Sequence, residues 1–179
     1  PGVSLVQRDK NTDEIYLGYS SPKTQSRVYS YNLSSKKKNL VKEQEIPSGH
    51  NQEDYIVERV NCESHDGRMV PLTITRHKST KLDGSAKLLL YGYGSYGSSM
   101  SPSFSSTKLS LINRDIIWVT SHIRGGMERG MKWWKEGKLL NKKNTFKDYI
   151  ASAKYLIENK YTSKKKIIGM GGSAGGLLM

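Results

Sequence analysis

Gly169-Met170-Gly171-Gly172-Ser173-Ala174-Gly175-Gly176 sets one serine among five glycines. Two chemistries use such a segment. Gly169 to Ala174 fits G-x-G-x-x-A, a loop whose bare backbone can approach a phosphate. Gly171-Gly172-Ser173-Ala174-Gly175 fits G-x-S-x-G, a nucleophile elbow: a strained strand-to-helix turn that lifts the serine Oγ clear of a sheet. The elbow needs small side chains because neighbouring backbone presses close, and Gly171, Gly172, Ala174, Gly175 and Gly176 meet that need. The N–H of Ala174 can then face an oxyanion. The plain alternative is a glycine-rich turn with a surface serine. Gly92-Tyr93-Gly94-Ser95-Tyr96-Gly97 is a second phosphate-loop match, but Ser98 to Ser103 after it has loop composition, where a dinucleotide fingerprint needs a helix.

Either chemistry depends on the elements around it. Lys166-Ile167-Ile168-Gly169-Met170 reads as a strand running straight into the glycine segment. Leu88–Tyr91 and Ile116–Val119 read as continuous apolar strands covered on both faces. Between them and the glycines lies the strongest helical pattern, with Phe146, Ile150, Ala153 and Ile157 at helical spacing and Thr145-Phe146-Lys147-Asp148 as its capping box. Tyr55–Val60 and Met69–Ile74 form two strands around an Asp66-Gly67 turn. Strand–helix–strand succession indicates an α/β sheet. Before it, Glu14–Tyr19, Arg27–Tyr31 and Asn39–Val41 are three short strands, with a turn at Asn32–Ser35. They would suit one blade of a β-propeller, which cannot bury itself alone.

The bulk composition narrows the partners. The 179 residues carry 29 basic and 16 acidic side chains, a net charge of +13. The lysines are spread out, and the runs Lys36–Lys38 and Lys164–Lys166 have no interleaved aromatics, so the charge reads as a solvated surface and not as a nucleic-acid face. No run approaches the ~18 apolar residues of a membrane span, and the start lacks a signal-peptide pattern. Cys62, the single cysteine, permits no internal disulfide and reads as buried and inert, in keeping with a reducing compartment. Pro1 at the start and the apolar Leu177-Leu178-Met179 at the end suggest a piece of a longer protein.

Four blocks in order resemble the prolyl oligopeptidase family of serine peptidases: Leu89 to Gly97, His122 to Gly130 with Trp133-Trp134, Asn144 to Ala151, and Gly171 to Met179. Met127 departs from the pattern, standing where many members have a glycine. Ala174 after the serine and the Tyr93-Gly94-Ser95-Tyr96 loop are closer to the oligopeptidase B branch. The resemblance implies residues 1–46 as the end of a β-propeller domain and 47–179 as the N-terminal part of an α/β-hydrolase domain. It implies a cytoplasmic enzyme cutting short peptides after lysine or arginine, without metal or cofactor and without nucleic-acid or membrane partners. Ser173 would be the nucleophile, in an elbow made with Gly171, Gly172 and Gly175. The Tyr93 hydroxyl and the Ala174 N–H would form the oxyanion hole. Arg124 could order loops near the site, though a structural ion pair is the preferred reading. The family's chain order is Ser, Asp, His, whereas His50, His65, His77 and His122 all precede Ser173. The expected triad partners therefore lie beyond Met179, and the chain alone is expected to be inactive. An esterase of the same fold and a nucleotide-binding module are the alternatives.

Overall fold

The computed structural model describes residues 2–8 and 10–179, and the chain divides into two compact units. One comprises the residues up to Asp54 together with Ser101–Lys108; the other comprises Tyr55–Met100 and Leu109–Met179.

The first unit is an antiparallel sheet of four strands among the described residues: β1 (Gly2–Arg8), β2 (Glu14–Ser21), β3 (Thr24–Asn32) and β4 (Lys38–Glu43), paired in chain order. Three of these are the strands expected from alternation. β1 is additional: its seven residues are all exposed, so Val3-Ser4-Leu5-Val6 carries no in–out alternation to betray it. The turn after β3 is held by the Asn32 side chain, whose Oδ1 accepts from the Ser35 N–H at 2.8 Å. That is the local backbone mimicry for which asparagine is favoured in turns.

The second unit is a mixed α/β sheet with strand order β5-β6-β8-β7-β9, formed by β5 (Tyr55–Glu63), β6 (Met69–His77), β7 (Lys87–Gly92), β8 (Ile116–Ser121) and β9 (Ile167–Met170). β5 and β6 are the antiparallel hairpin expected around Asp66-Gly67, with Gly67 at φ 76°. β7 runs parallel to β8 on one side and to β9 on the other. Helix α1 (Ser106–Ile112), which belongs to this unit from Leu109 on, leads to β8; α2 (Met131–Lys135) and α3 (Lys143–Glu158) lie between β8 and β9. Leu72, Ile74, Leu88, Leu90, Ile117, Val119 and Leu156 form the core and are at most 1% exposed. Each such side chain contributes about 1.5–3 kcal/mol. β8 is covered on both faces as expected, whereas β7 buries Leu88 and Leu90 and leaves Leu89 and Tyr91 half-buried. No helix among the described residues is long and apolar enough to cross a membrane.

Helix α3 departs from its expected form. Its N-cap is Lys142, without a side-chain capping bond. Thr145 and Asp148 are no capping box, because both point inward and are fully buried. The buried stripe is Thr145, Asp148, Ser152 and Leu156, and Ile150 is 53% exposed. The helix turns a largely polar face inward because that face holds the loops of Arg124 and Gly137.

Candidate active site

β7 and β9 are parallel neighbours, with Tyr91 opposite Met170. Their following loops therefore leave the same edge of the sheet, the carboxyl edge, where open α/β sheets place their ligands. Residues 92–97 follow β7, and residues 171–179 follow β9.

Ser173 stands at φ 52°, in the left-handed region. A side chain there costs about 1–2 kcal/mol. The chain reaches it extended, with Gly172 at φ −111° and ψ 152°, and turns at once into a 3₁₀ helix over Ser173–Leu178. The Gly175 N–H closes this bend on the Gly172 carbonyl at 2.8 Å. Two glycines are sterically required. A Cβ on Gly171 would lie 2.1 Å from the Gly175 carbonyl oxygen, and one on Gly175 would lie 2.7 Å from the Gly92 oxygen. Gly172 differs from expectation: among the described residues nothing lies within 4 Å of a Cβ placed there. Ser173 is exposed and Ala174 half-buried.

Tyr93 comes to this bend because Gly175 packs on it. A Gly175 Cβ would lie 3.2 Å from both the Cα and a ring carbon of Tyr93. The sequence residues Ser173, Ala174, Gly171, Gly175 and Tyr93 are thus gathered at one place by the crossing of two backbones.

Behind Tyr93 three loops interlock. Gly125, at φ 98°, has no room for a Cβ, which would fall 2.0 Å from the Gly94 oxygen; a Cβ on Gly137 would fall 2.2 Å from the Gly125 nitrogen. The Thr145 hydroxyl donates to the carbonyls of Arg124 at 2.8 Å and Gly137 at 3.1 Å. The Lys142 ammonium donates to the Gly94 carbonyl at 2.6 Å and to Ser95 Oγ at 2.8 Å. Burial lowers the pKa of this lysine. Tyr149 donates to the Leu90 carbonyl at 2.6 Å, and its burial pushes the phenol up to about 12.

Arg124 is 1% exposed. Its guanidinium donates to both oxygens of Asp148 at 2.8 and 2.6 Å, and to both oxygens of Asp66 at 2.5 and 3.0 Å. Burial alone would lower its pKa, but the two carboxylates more than offset this and the net shift is upward. The hydrogen bonds from Arg124 hold the Asp66 carboxyl below the usual carboxylate range. Arg124 is thus a structural ion-pair partner of Asp148 and Asp66.

The histidines are committed elsewhere. His50 Nε2 lies 2.8 Å from the Lys23 oxygen, and His77 Nδ1 2.6 Å from Ser79 Oγ. His65 Nδ1 lies 3.2 Å from Ser64 Oγ, and His122 Nε2 2.8 Å from Thr73 Oγ1. Cys62 is buried beside Ser152, and burial raises its thiol pKa.

The sequence profile described as the Prolyl oligopeptidase family matches residues 102–179, which include Ser173 and the loop of Arg124. The chain is 41% identical over 172 residues to dipeptidyl aminopeptidase BI of Pseudoxanthomonas mexicana, an alignment covering 96% of this chain and 24% of that protein. It is 37% identical over 175 residues to protease 2 of Moraxella lacunata, covering 98% of this chain and 25% of the relative. The solved structure of oligopeptidase B from Leishmania major superposes with a TM-score of 0.88 at 36% identity, over 99% of this chain and 25% of that one. This chain belongs to the prolyl oligopeptidase family. It spans about a quarter of the length of the relatives it matches.

Sequence reasoning missed Lys142, Tyr149 and the inward roles of Thr145 and Asp148. One signal was there: Thr145, Asp148 and Ser152 share a helical face at spacings of three and four, a polar stripe that had to meet something.

Proposed function

We propose that the whole protein is a cytoplasmic serine oligopeptidase that cuts short peptides after lysine or arginine through an acyl-enzyme on Ser173. One observation carries the reading: Ser173 sits at φ 52° on the bend after β9, at the sheet edge where Tyr93 leaves β7. In this reading Ser173 Oγ attacks the scissile carbonyl, and the oxyanion is met by the Ala174 N–H and the Tyr93 hydroxyl. Gly171 and Gly175 give the bend its clearance, and Gly172 leads the chain into it. Residues 1–46 form the end of a β-propeller and 47–179 the first part of an α/β-hydrolase domain. Ala174 and the Tyr93-Gly94-Ser95-Tyr96 loop support the basic-residue preference by resemblance to oligopeptidase B. A serine hydroxyl without an adjacent base is a weak nucleophile, and each histidine of this chain is bonded elsewhere. The 179 residues by themselves are therefore expected to hydrolyse nothing.

The test labels the whole protein with an organophosphate and compares matched peptides that differ only at the cleaved residue. Labelling should map to Ser173 and vanish in Ser173→Ala. Cleavage after arginine and lysine should exceed cleavage after proline. Label on another residue would overturn the nucleophile, and faster cleavage after proline would overturn the specificity.

A further inference from the structure

Lys142 occupies a position that disfavours a cation. It is the N-cap of α3, and no acidic residue stands in the first turn. A helix N-terminus carries partial positive charge and favours acids. The ammonium is also partly buried, and among the described residues it makes no ion pair. Its partners are two neutral oxygens, the Gly94 carbonyl at 2.6 Å and Ser95 Oγ at 2.8 Å. Gly94 directly follows Tyr93. The segment is sharply bent, with Gly94 at φ 64°, Tyr96 at 57° and Gly97 at 68°. Its other ties are Gly97 N–H to the Gly125 carbonyl at 2.9 Å and Ser98 N–H to the Ser95 carbonyl at 3.0 Å. On the far side, Tyr93 is held by the packing of Gly175 against it. A local electrostatic rule is broken where the gain is a fixed loop, and such places tend to be functional.

We infer that Lys142 is a positioning residue that fixes the Tyr93 hydroxyl for the oxyanion by clamping Gly94 and Ser95. The inference rests on the oxyanion role given above to Tyr93. A donor displaced by a fraction of an ångström stabilises the transition state less while leaving the ground-state complex little changed. The loss therefore belongs in kcat.

The experiment is a double-mutant cycle in the whole protein. Lys142→Met keeps the aliphatic stem and removes the donor; Tyr93→Phe removes the group it positions. Lys142→Met should lower kcat about tenfold with KM within about twofold. In the Tyr93→Phe background the same change should lower kcat by less than about twofold, because residues acting as one unit are not additive. Ser95→Ala, which removes one acceptor, is run in parallel. It should lower kcat several-fold only when Tyr93 is present, and it decides the question if Lys142→Met does not fold. An equal loss in both backgrounds, or no loss in either, overturns the role of Lys142 while leaving that of Tyr93 standing. If Tyr93→Phe alone leaves kcat unchanged, the oxyanion reading falls and the positioning role falls with it.

Discussion

Tyr93→Phe keeps the ring that packs beside Gly175 and deletes only the phenolic donor. Loss of one oxyanion donor costs about 2.7–4 kcal/mol, or ~10²–10³ in rate. The expected result for the whole protein is a kcat lower by that factor with KM little changed. Tyr91→Phe is the control, since Tyr91 stacks on Trp118 with centroids 6.2 Å apart. A fall below about fivefold for Tyr93→Phe, well short of that range, would take Tyr93 out of the mechanism. At this scale the sequence was informative wherever a residue's size or conformation is its function. Ser173 was legible because G-x-S-x-G marks a strained turn, and Gly171 and Gly175 because only a missing Cβ lets two backbones meet. Gly172 was over-read by the same logic. Lys142 was invisible, because a lysine in a chain with 29 basic residues gives no sign that its ammonium points at a carbonyl far away in sequence.

Helix α3 is an element whose inner face is spent on loops. Arg124→Met would leave Asp148, a fully buried carboxylate, without its counter-charge. Breaking a buried pair in this way costs about 3–5 kcal/mol, to be read as an earlier denaturant transition of the α/β unit. Two tyrosines give a pH test. Burial raises Tyr149 and Tyr161 to about 12 from a reference of 10.0. A folded pKa above the unfolded one means their contribution is complete below pH 10 and is lost as pH rises toward 12. Stability should fall across that alkaline window, and two phenols should titrate late by ultraviolet absorbance. An alkaline limb that Tyr149→Phe with Tyr161→Phe leaves unchanged would contradict this. β7, β8 and β9 were legible because their apolar runs report burial directly. β1 was not, since pairing along its edge leaves no periodic trace. The start of α3 was misread because Thr145 and Asp148 have the right types for a cap but are drawn inward by Arg124 and the Gly137 carbonyl.

For the molecule as a whole, both units leave apolar side chains uncovered. Val3, Leu5, Val6, Leu40 and Val41 in the first are 52–69% exposed, and Ile168 and Met170 on β9 are 51% and 45% exposed. Large apolar patches and an unpaired strand edge favour association. The 179 residues produced alone should bind a hydrophobic dye and self-associate, as fluorescence and sedimentation would show; a dye-silent monomer would refute this. Ser173 has a different consequence. Glycine accepts φ 52° without the cost that serine bears there, although it loses more chain freedom on folding. Ser173→Gly should therefore be neutral to stabilising by up to about 1 kcal/mol, roughly 4 °C in melting temperature for a unit of this size. Ser173→Ala keeps the strain and should melt like the parent. With Ser173 as the proposed nucleophile, heat tolerance and peptide turnover would pull this position in opposite directions. A directed-evolution campaign scored on solubility or thermal survival alone would enrich glycine here, and its winners would be inert.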